Sequence, residues 1–215
     1  EAGDSDAART ALNEALAIQR RRLPAAHPSI AATLTSLGAF YFRIDSLDAA
    51  ARVTVEAADV ARRALGPGHP SVARAVSNLA IYAAIQGDLE TAERHAREAL
   101  ALRRAALGPD HPGVARTLST LGQILTDQGR SAAAIAPLRD AERITRLTYG
   151  DESPETARLE ITLAEAHLSV GDAEAALPLL RAVLQGQRSR QEPTADTERM
   201  MGVALATLGD CEAAR

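Results

Sequence analysis

Apolar residues in the middle of the chain recur at the spacing of an α-helix in two successive stretches. The apolar stripe of the first stretch comprises Ala73, Val76, Leu79, Ala80 and Ala83. The stripe of the second stretch comprises Leu89, Ala92, Ala96, Ala99 and Leu100. A Gly87-Asp88 turn separates the two stretches, and Gly108-Pro109 ends the second. The pattern therefore predicts two amphipathic helices joined as a hairpin.

This hairpin pattern returns along the chain with a constant period of 42, as the positions of the dipeptide His-Pro show. The dipeptide begins at His27, His69 and His111, and Ser153-Pro154 holds the next place. Proline suits the first position of a helix, because the missing N–H is not needed there and the fixed φ is already helical. A period of this length indicates a solenoid, in which each repeat buries its core against its neighbours.

The period predicts the position of every helix. The first helices of the repeats are predicted at about 28–43, 70–86, 112–128, 154–170 and 194–208. The second helices are predicted at about 5–22, 46–64, 89–106, 131–148 and 173–189, with an eleventh helix starting near Cys211. The turns between them are marked at one period by Gly3, Asp45, Gly87, Gly129 and Gly171.

These helices predict a single solenoid domain over residues 1–215. Its repeats are expected at about 1–27, 28–69, 70–111, 112–153, 154–193 and 194–215. The chain opens with a second helix and closes just inside another, whereas a complete array normally carries polar caps. We therefore expect a fragment of a longer protein.

Composition agrees with an all-helical core of small side chains. The hydrophobic fraction is 46% but the aromatic fraction is only 2%, so Ala, Leu, Ile and Val must fill closely packed helix interfaces. All 24 basic residues are Arg, which most simply reflects GC-rich coding and a bacterial source. The absence of Lys excludes a Walker A phosphate loop and a Schiff-base lysine. The net charge of -4 argues against nucleic-acid binding.

Several further classes of function are disfavoured by the sequence. Cys211 is the only cysteine, which excludes an intrachain disulfide and fits a reducing, cytoplasmic compartment. No apolar run approaches the roughly 18 residues of a membrane span, so no membrane partner is expected. No nucleophile, base and orienting group recur together, and no glycine-rich phosphate loop follows a strand. We expect neither an enzyme nor a bound cofactor.

The histidines of the repeated His-Pro dipeptide suggest a metal site, whereas His95 and His167 have no carboxylate or Cys at ligand spacing. Two His ligands each lie about 2.0–2.1 Å from a shared zinc ion. Successive repeats stack about 10 Å apart, so His27, His69 and His111 cannot share one. Their place before proline instead predicts a role at the start of the helix, with no metal bound.

The stretch from Ala75 to Ala115 resembles the tetratricopeptide repeat, in the 42-residue type found in kinesin light chains and their bacterial relatives. The resemblance is carried by Asn78-Leu79-Ala80, Gln86-Gly87-Asp88-Leu89, Ala92-Glu93, Ala99-Leu100 and Leu107-Gly108-Pro109-Asp110-His111-Pro112. It implies an all-α fold, a right-handed superhelical solenoid of antiparallel helix pairs. It also implies that the first helices line a concave groove that captures a peptide. Kinesin light chains carry paired Asn that grip the ligand backbone, and only Asn78 survives at those places here.

Three arginines are candidates for contacts in that groove. Arg74, Arg116 and Arg158 lie one period apart from each other, and each follows the proline that opens its helix by about one helical turn. The resemblance places this position toward the groove, where guanidinium groups would bind the carboxylates of an acidic peptide. Other polar residues predicted on the same surface are Ser77, Asn78, Ser119, Gln123, Thr126, Asp127 and Glu165. An alternative is that each Arg pairs with an acidic residue of a neighbouring repeat or covers apolar surface with its stem.

Two other groups of residues admit more than one interpretation. Tyr41 stands where the family has a core aromatic residue, while Phe40 or Phe42 could lie in the core or form an exposed contact. Arginine clusters in the last turns of second helices are expected to be solvated and to complement the helix dipole, and the alternative is a basic edge that binds an acidic partner. These clusters are Arg20-Arg21-Arg22, Arg62-Arg63 and Arg103-Arg104.

The sequence thus predicts a non-catalytic module that binds a protein or peptide in its concave groove. One alternative is the sensor arm of a larger signalling protein that carries a kinase, a nucleotide-driven switch or a protease. Another is a scaffold that self-assembles into a homo-oligomer through uncapped ends.

Overall fold

The computed structural model describes residues 2–209, with side chains from residue 6 onward, and this part of the chain forms ten α-helices. They are α1 (Ala2–Arg22), α2 (Pro28–Arg43), α3 (Leu47–Leu65), α4 (Pro70–Ile85), α5 (Leu89–Leu107), α6 (Pro112–Asp127), α7 (Ser131–Tyr149), α8 (Pro154–Ser169), α9 (Ala173–Ser189) and α10 (Ala195–Thr207). Even-numbered helices are the first helices of the repeats, and odd-numbered helices are the second.

The predicted helix boundaries are confirmed to within about one residue, apart from the start of α1. That helix begins at Ala2, so Gly3 lies inside it and does not form the predicted turn. The predicted eleventh helix near Cys211 lies outside the described residues.

The helices are grouped in two compact units, Glu1–Pro109 and Asp110–Arg215. In the first unit, α1 packs against α2, α2 against α3, α3 against α4 and α4 against α5. In the second unit, α6 to α10 pack in the same way. The single domain over residues 1–215 stays a prediction.

The turn after each first helix has one backbone conformation. At the end of α4, the Gly87 N–H donates to the Ala84 carbonyl and the Asp88 N–H donates to the Ala83 carbonyl, both at 3.0 Å. This pair of bonds is the Schellman motif, which needs a left-handed residue at its centre. Gly87 supplies that residue with φ of 82°, and Asp45 holds the same place in the preceding repeat with φ of 57°. The predicted turn is therefore confirmed at both positions.

The predicted apolar stripes form the cores. All five residues of the first stripe, on α4, are buried. On α5 four of the five are buried, and Leu89 is half-buried at the start of the helix. The core of the second compact unit includes Ala164, Leu177, Leu180 and Met200. Small and branched aliphatic side chains thus fill both cores, as the composition predicts.

The helices of a pair approach so closely that one position has no room for a larger side chain. A Cβ atom added to Gly122 in α6 would lie 2.5 Å from Cγ and Cδ2 of Leu138 in α7. A Cβ atom added to Gly38 in α2 would collide with Oγ1 of Thr54 in α3. Counted by the period of 42, the same position holds Gly38, Ala80, Gly122 and Ala164. A small residue here therefore lets the two helices of each hairpin pack together.

We predict that Gly122→Ala lowers the free energy of unfolding by about 1–3 kcal/mol, because the added methyl group overpacks the contact with Leu138. The same change should cost less in a Leu138→Ala background, which supplies the missing room. The double variant copies a pair that already occurs one repeat earlier, Ala80 and Ala96.

Urea denaturation of the wild type, both single variants and the double variant measures this coupling, which is expected at about 0.5–3 kcal/mol. Gly68→Ala is the matched control, because no atom lies within 4 Å of a Cβ at that glycine. Additive losses in the double variant would show that Gly122 is not limited by Leu138.

Candidate functional site

The three predicted groove arginines occupy equivalent places on first helices. Arg74 lies on α4, Arg116 on α6 and Arg158 on α8, and all three are exposed. Each lies about one turn after the proline that opens its helix. Among the residues that the structure describes, none pairs with the guanidinium group of any of the three. These groups therefore keep their hydrogen-bond donors free.

Two arginines on the second helices behave differently, because they are paired within the fold. Arg20 on α1 pairs with Glu56 on α3 at 2.5 Å. Arg62 on α3 pairs with Glu98 on α5 at 2.8 Å. In both cases the partner lies 36 residues further along the chain, on the next second helix. Pairing between repeats, the alternative considered for the three groove arginines, thus occurs at Arg20 and Arg62 on the second helices.

The sequence offers a signal for these pairs that the helix-dipole interpretation missed. Arginines recur with the period of the repeats at Arg20, Arg62, Arg104, Arg146 and Arg188. Acidic residues recur at the same period at Glu56, Glu98 and Asp140. Two ladders of opposite charge at one period predict contacts between successive second helices.

The other predicted groove residues differ in exposure. Gln123, Asp127 and Glu165 are exposed, while Asn78 and Ser119 are half-buried. Gln123 donates from Nε2 to Oδ1 of Asp127 at 2.9 Å, one turn further along α6. Ser77 is only 5% exposed, so it is the least accessible member of the predicted set.

The aromatic cluster divides between core and surface. Phe40 is buried, and its ring meets that of Tyr41 edge-on at a centroid distance of 5.8 Å. Phe42 is 38% exposed and stacks on the ring of Tyr82 at 5.2 Å. Phe40 therefore belongs to the core, and Phe42 presents an apolar edge at the end of α2.

Two buried glutamates, one on α7 and one on α8, were missed in the sequence. Glu142 on α7 and Glu160 on α8 both contact Nη2 of Arg146, at 2.5 and 2.9 Å. Nε of Arg146 also contacts Oδ1 of Asp151 at 3.0 Å. Burial raises the pKa of Glu160 and of Glu142, and the nearby Arg146 guanidinium opposes both shifts. Charged residues at positions where other repeats are apolar are the signal that could have found them.

The histidines of the His-Pro dipeptides cap helices. Nδ1 of His69 accepts a hydrogen bond from the Ser71 N–H at 3.1 Å. His27 and His111 make the same bond to the N–H two residues later. Ser153 caps α8 through its hydroxyl. The predicted role at the start of the helix is confirmed, and the bonded nitrogen must be unprotonated to accept.

The described residues contain neither a cluster suited to a metal ion nor a helix suited to a membrane. Residues 6–209 contain no group of three His, Cys, Asp or Glu side chains placed to hold a metal ion. None of the helices α1 to α10 is both long and apolar enough to cross a membrane.

Helix pairs of similar length, repeated at one period with the same caps, define a helical-repeat protein. The tetratricopeptide-repeat family matches residues 29–105 and 75–147, which together cover more than half of the chain, and residues 157–182. The chain belongs to the tetratricopeptide repeat family. No curated protein matches it by sequence.

Solved structures share this fold at low sequence identity. BtubC (BKLC) from P. vanneervenii is 16% identical with a TM-score of 0.80, over 98% of this chain and 86% of that one. A kinesin-light-chain-type protein of Podosopora anserina with nearly identical TPR-like repeats is 23% identical with a TM-score of 0.75, over 88% and 89%. Aspartyl phosphate phosphatase F from Bacillus subtilis is 14% identical with a TM-score of 0.74, over 94% and 51%. The predicted all-α fold of antiparallel helix pairs is confirmed.

We predict that His69→Ala lowers the free energy of unfolding by about 0.5–2 kcal/mol, because an N–H at the start of α4 loses its acceptor. His69→Ser should retain most of the stability, since Ser153 performs the same role at α8. Chemical denaturation followed by circular dichroism measures both variants. Equal losses in the two variants would show that the imidazole ring acts through packing and not as a cap.

Proposed function

We propose that this chain is a non-catalytic interaction module whose first helices bind an acidic segment of a partner protein. The observation that carries the proposal is the contrast between two rows of arginines. Arg20 and Arg62 on the second helices are paired within the fold, whereas Arg74, Arg116 and Arg158 on the first helices have no partner among the described residues. Membership of the tetratricopeptide repeat family supports an interaction role in general.

Free guanidinium groups on a folded surface are well suited to carboxylate recognition. Arginine offers a planar fork of donors that matches both oxygens of a carboxylate. Hydrogen bonds to charged groups contribute about 1.5–3 kcal/mol each, more than neutral ones. The arginines require no internal pair to be broken before they bind. An acidic ligand is therefore favoured even though the net charge of the chain is -4.

The other polar residues of the first helices suggest how charged groups are distributed along the ligand. Asp127 lies further along α6 than Arg116, and Glu165 lies further along α8 than Arg158, so an acidic group follows each of these two arginines. A ligand that matches this surface has its carboxylates near the helix starts and its neutral or basic side chains near the helix ends. Asn78 and Ser119 are partly accessible and would supply hydrogen bonds to its backbone. Ser77 is buried, so we leave it out of the contact surface.

The two alternatives from the sequence stay predictions. They are the sensor arm of a larger signalling protein and the self-assembling scaffold. Both are compatible with the same free arginines, which would then bind an acidic segment of the parent chain or of another copy.

We predict that peptides selected from a random library on the immobilised protein are enriched in Asp and Glu. Replacement of Arg74, Arg116 and Arg158 together by Glu should weaken the best such peptide by at least about 100-fold. The reason is that three charge-assisted contacts are lost, and each tenfold in affinity corresponds to about 1.4 kcal/mol. Fluorescence anisotropy with the labelled peptide measures this loss.

The chain contains its own matched control for this variant. Arg97, Arg139 and Arg181 are exposed arginines on second helices and recur with the same period. Their replacement by Glu changes the net charge equally but should leave peptide affinity within about threefold of wild type. Equal losses in the two triple variants, or selected peptides without acidic enrichment, would disprove the proposed site. Thermal melts by circular dichroism establish that both variants fold.

A further inference from the structure

Glu142 and Glu160 occupy positions that are apolar and buried in the other repeats. The first position holds Leu16, Ala58, Leu100 and Leu184 elsewhere in the chain, and all four are buried. The second holds Leu34, Val76 and Leu118, also buried. Glu142 is 6% exposed and Glu160 is 4% exposed, so the two carboxyl groups replace core side chains. Buried charges cost free energy relative to well-packed apolar residues, which argues that they serve another purpose than stability.

Arg146 is drawn to these glutamates because its usual partner is missing. At the same position in earlier repeats, Arg20 pairs with Glu56 and Arg62 pairs with Glu98, in each case an acid 36 residues later. The corresponding position after Arg146 is Ala182, whose side chain cannot accept a hydrogen bond. The guanidinium therefore turns to the carboxyl groups of α7 and α8.

A cleft of about 290 Å³ opens where the repeat pattern is broken. It lies in the second compact unit, at the end of α7, the start of α8 and the last turns of α9. Ala182 and Gly186 line it on α9, and Glu160 and Arg146 line it on the other side. At the position of Gly186 the earlier repeats hold larger apolar side chains, Val60, Leu102 and Ile144. The cleft thus occupies space that larger side chains fill in the earlier repeats.

Carboxylates outnumber free cations around the cleft. Arg190 is already held by both oxygens of Glu192 at 3.0 Å, and it donates to the Glu152 carbonyl at 2.6 Å. Arg146 is shared among Glu142, Glu160 and Asp151. The side chain of Glu152 adds a further negative charge to the lining. An anion placed here would meet more repulsion than attraction, and a cation would be stabilised.

One oxygen of Glu160 is free to bind a ligand. Oε1 accepts a hydrogen bond from Arg146 at 2.9 Å. Within the part of the chain that the structure describes, Oε2 accepts none. Oε1 of the buried Glu142 likewise has an ion pair but no hydrogen bond. A buried carboxylate with an unused acceptor beside an open cleft is an arrangement that a donor from outside would complete.

We propose that this cleft is a binding site for an organic cation, an ammonium or guanidinium group on a short aliphatic stem, with Glu160 as its principal acceptor. The volume lies at the lower end of the range for small-molecule pockets, so it admits one such group. The apolar part of the lining, Ala157, Ala182 and Val183, covers the stem. The cation is either a free amine or the basic side chain of a bound peptide, and the chemistry is the same for both.

Calorimetric titration with agmatine, which carries both a guanidinium and an ammonium group, tests the site. We expect saturable binding that Glu160→Gln weakens at least tenfold, because the neutral amide loses the charge that attracts the cation. The matched control is Glu198→Gln, since Glu198 forms a similar but exposed pair with Arg188 at 3.1 Å. The control should bind agmatine as the wild type does.

A second variant tests the cleft without a change of charge. Gly186→Leu restores the side chain that Leu102 supplies two repeats earlier and should abolish binding by filling the space. A Cβ at Gly186 meets only the tip of the flexible Arg190 side chain, at 3.0 Å, so the variant is expected to fold. Melting temperatures of all variants check this.

The source of the cation is decided by a blocked Gly-Arg-Gly peptide and its citrulline counterpart, which is neutral. If the arginine peptide binds more tightly than agmatine, and the citrulline peptide does not bind, the ligand is a peptide side chain. If agmatine binds more tightly than the arginine peptide, the ligand is a free amine. The proposal is overturned by absence of saturable binding up to about 10 mM of either probe, a concentration that would reveal even weak affinity. Unchanged binding in Glu160→Gln, or binding of inorganic phosphate that this variant strengthens, overturns it equally.

Discussion

The close approach of the two helices within each hairpin is the constraint on which the rest of the structure depends. At Gly122 the backbone of α6 meets Leu138 with no room for a Cβ atom, and Gly38 is equally confined against Thr54. Helices that lie this close can be filled by alanine and leucine, which explains how a chain with 2% aromatic residues forms well-packed cores. Each hairpin then buries its apolar stripes, and most of its charged residues are left at the surface or at the ends of helices.

The helix caps make this packing repeat with a fixed period. A proline after a capping His or Ser starts each of α2, α4, α6 and α8, and a left-handed residue such as Gly87 ends the first helix of the repeat. Both signals act within a few residues and need no tertiary context. This locality is why helix boundaries could be predicted from the sequence almost to the residue. It also explains why Gly3 misled the prediction, since its place in the period alone cannot terminate a helix.

Side-chain pairing was less predictable, because the period places a residue on a helix without deciding which neighbour a long side chain reaches. Arg62 reaches Glu98 on the next second helix, whereas Arg146, at the same position, reaches Glu160 on a first helix. The difference arises because position 182 holds alanine where the earlier repeats hold an acidic residue. An alanine gives no sign in the sequence that a partner for Arg146 is missing. The helix-dipole interpretation of the arginine clusters was incomplete for the same reason: it considered each helix alone. The exposed positions of Arg74, Arg116 and Arg158 could be predicted from the sequence pattern. Only the structure shows that these arginines have no partner among the described residues.

Departures from a regular repeat are therefore more informative about function than the repeat itself. Exposed pairs such as Arg20 with Glu56 contribute at most about 1 kcal/mol, and their recurrence adds to the fold without distinguishing one surface from another. A buried carboxyl group is different, because its desolvation costs more than an exposed pair returns. Glu142 and Glu160 bear that cost side by side, next to a cleft that exists only because Ala182 and Gly186 are small. Four departures from the repeat pattern that together form a charged cavity are better explained by a ligand than by independent drift.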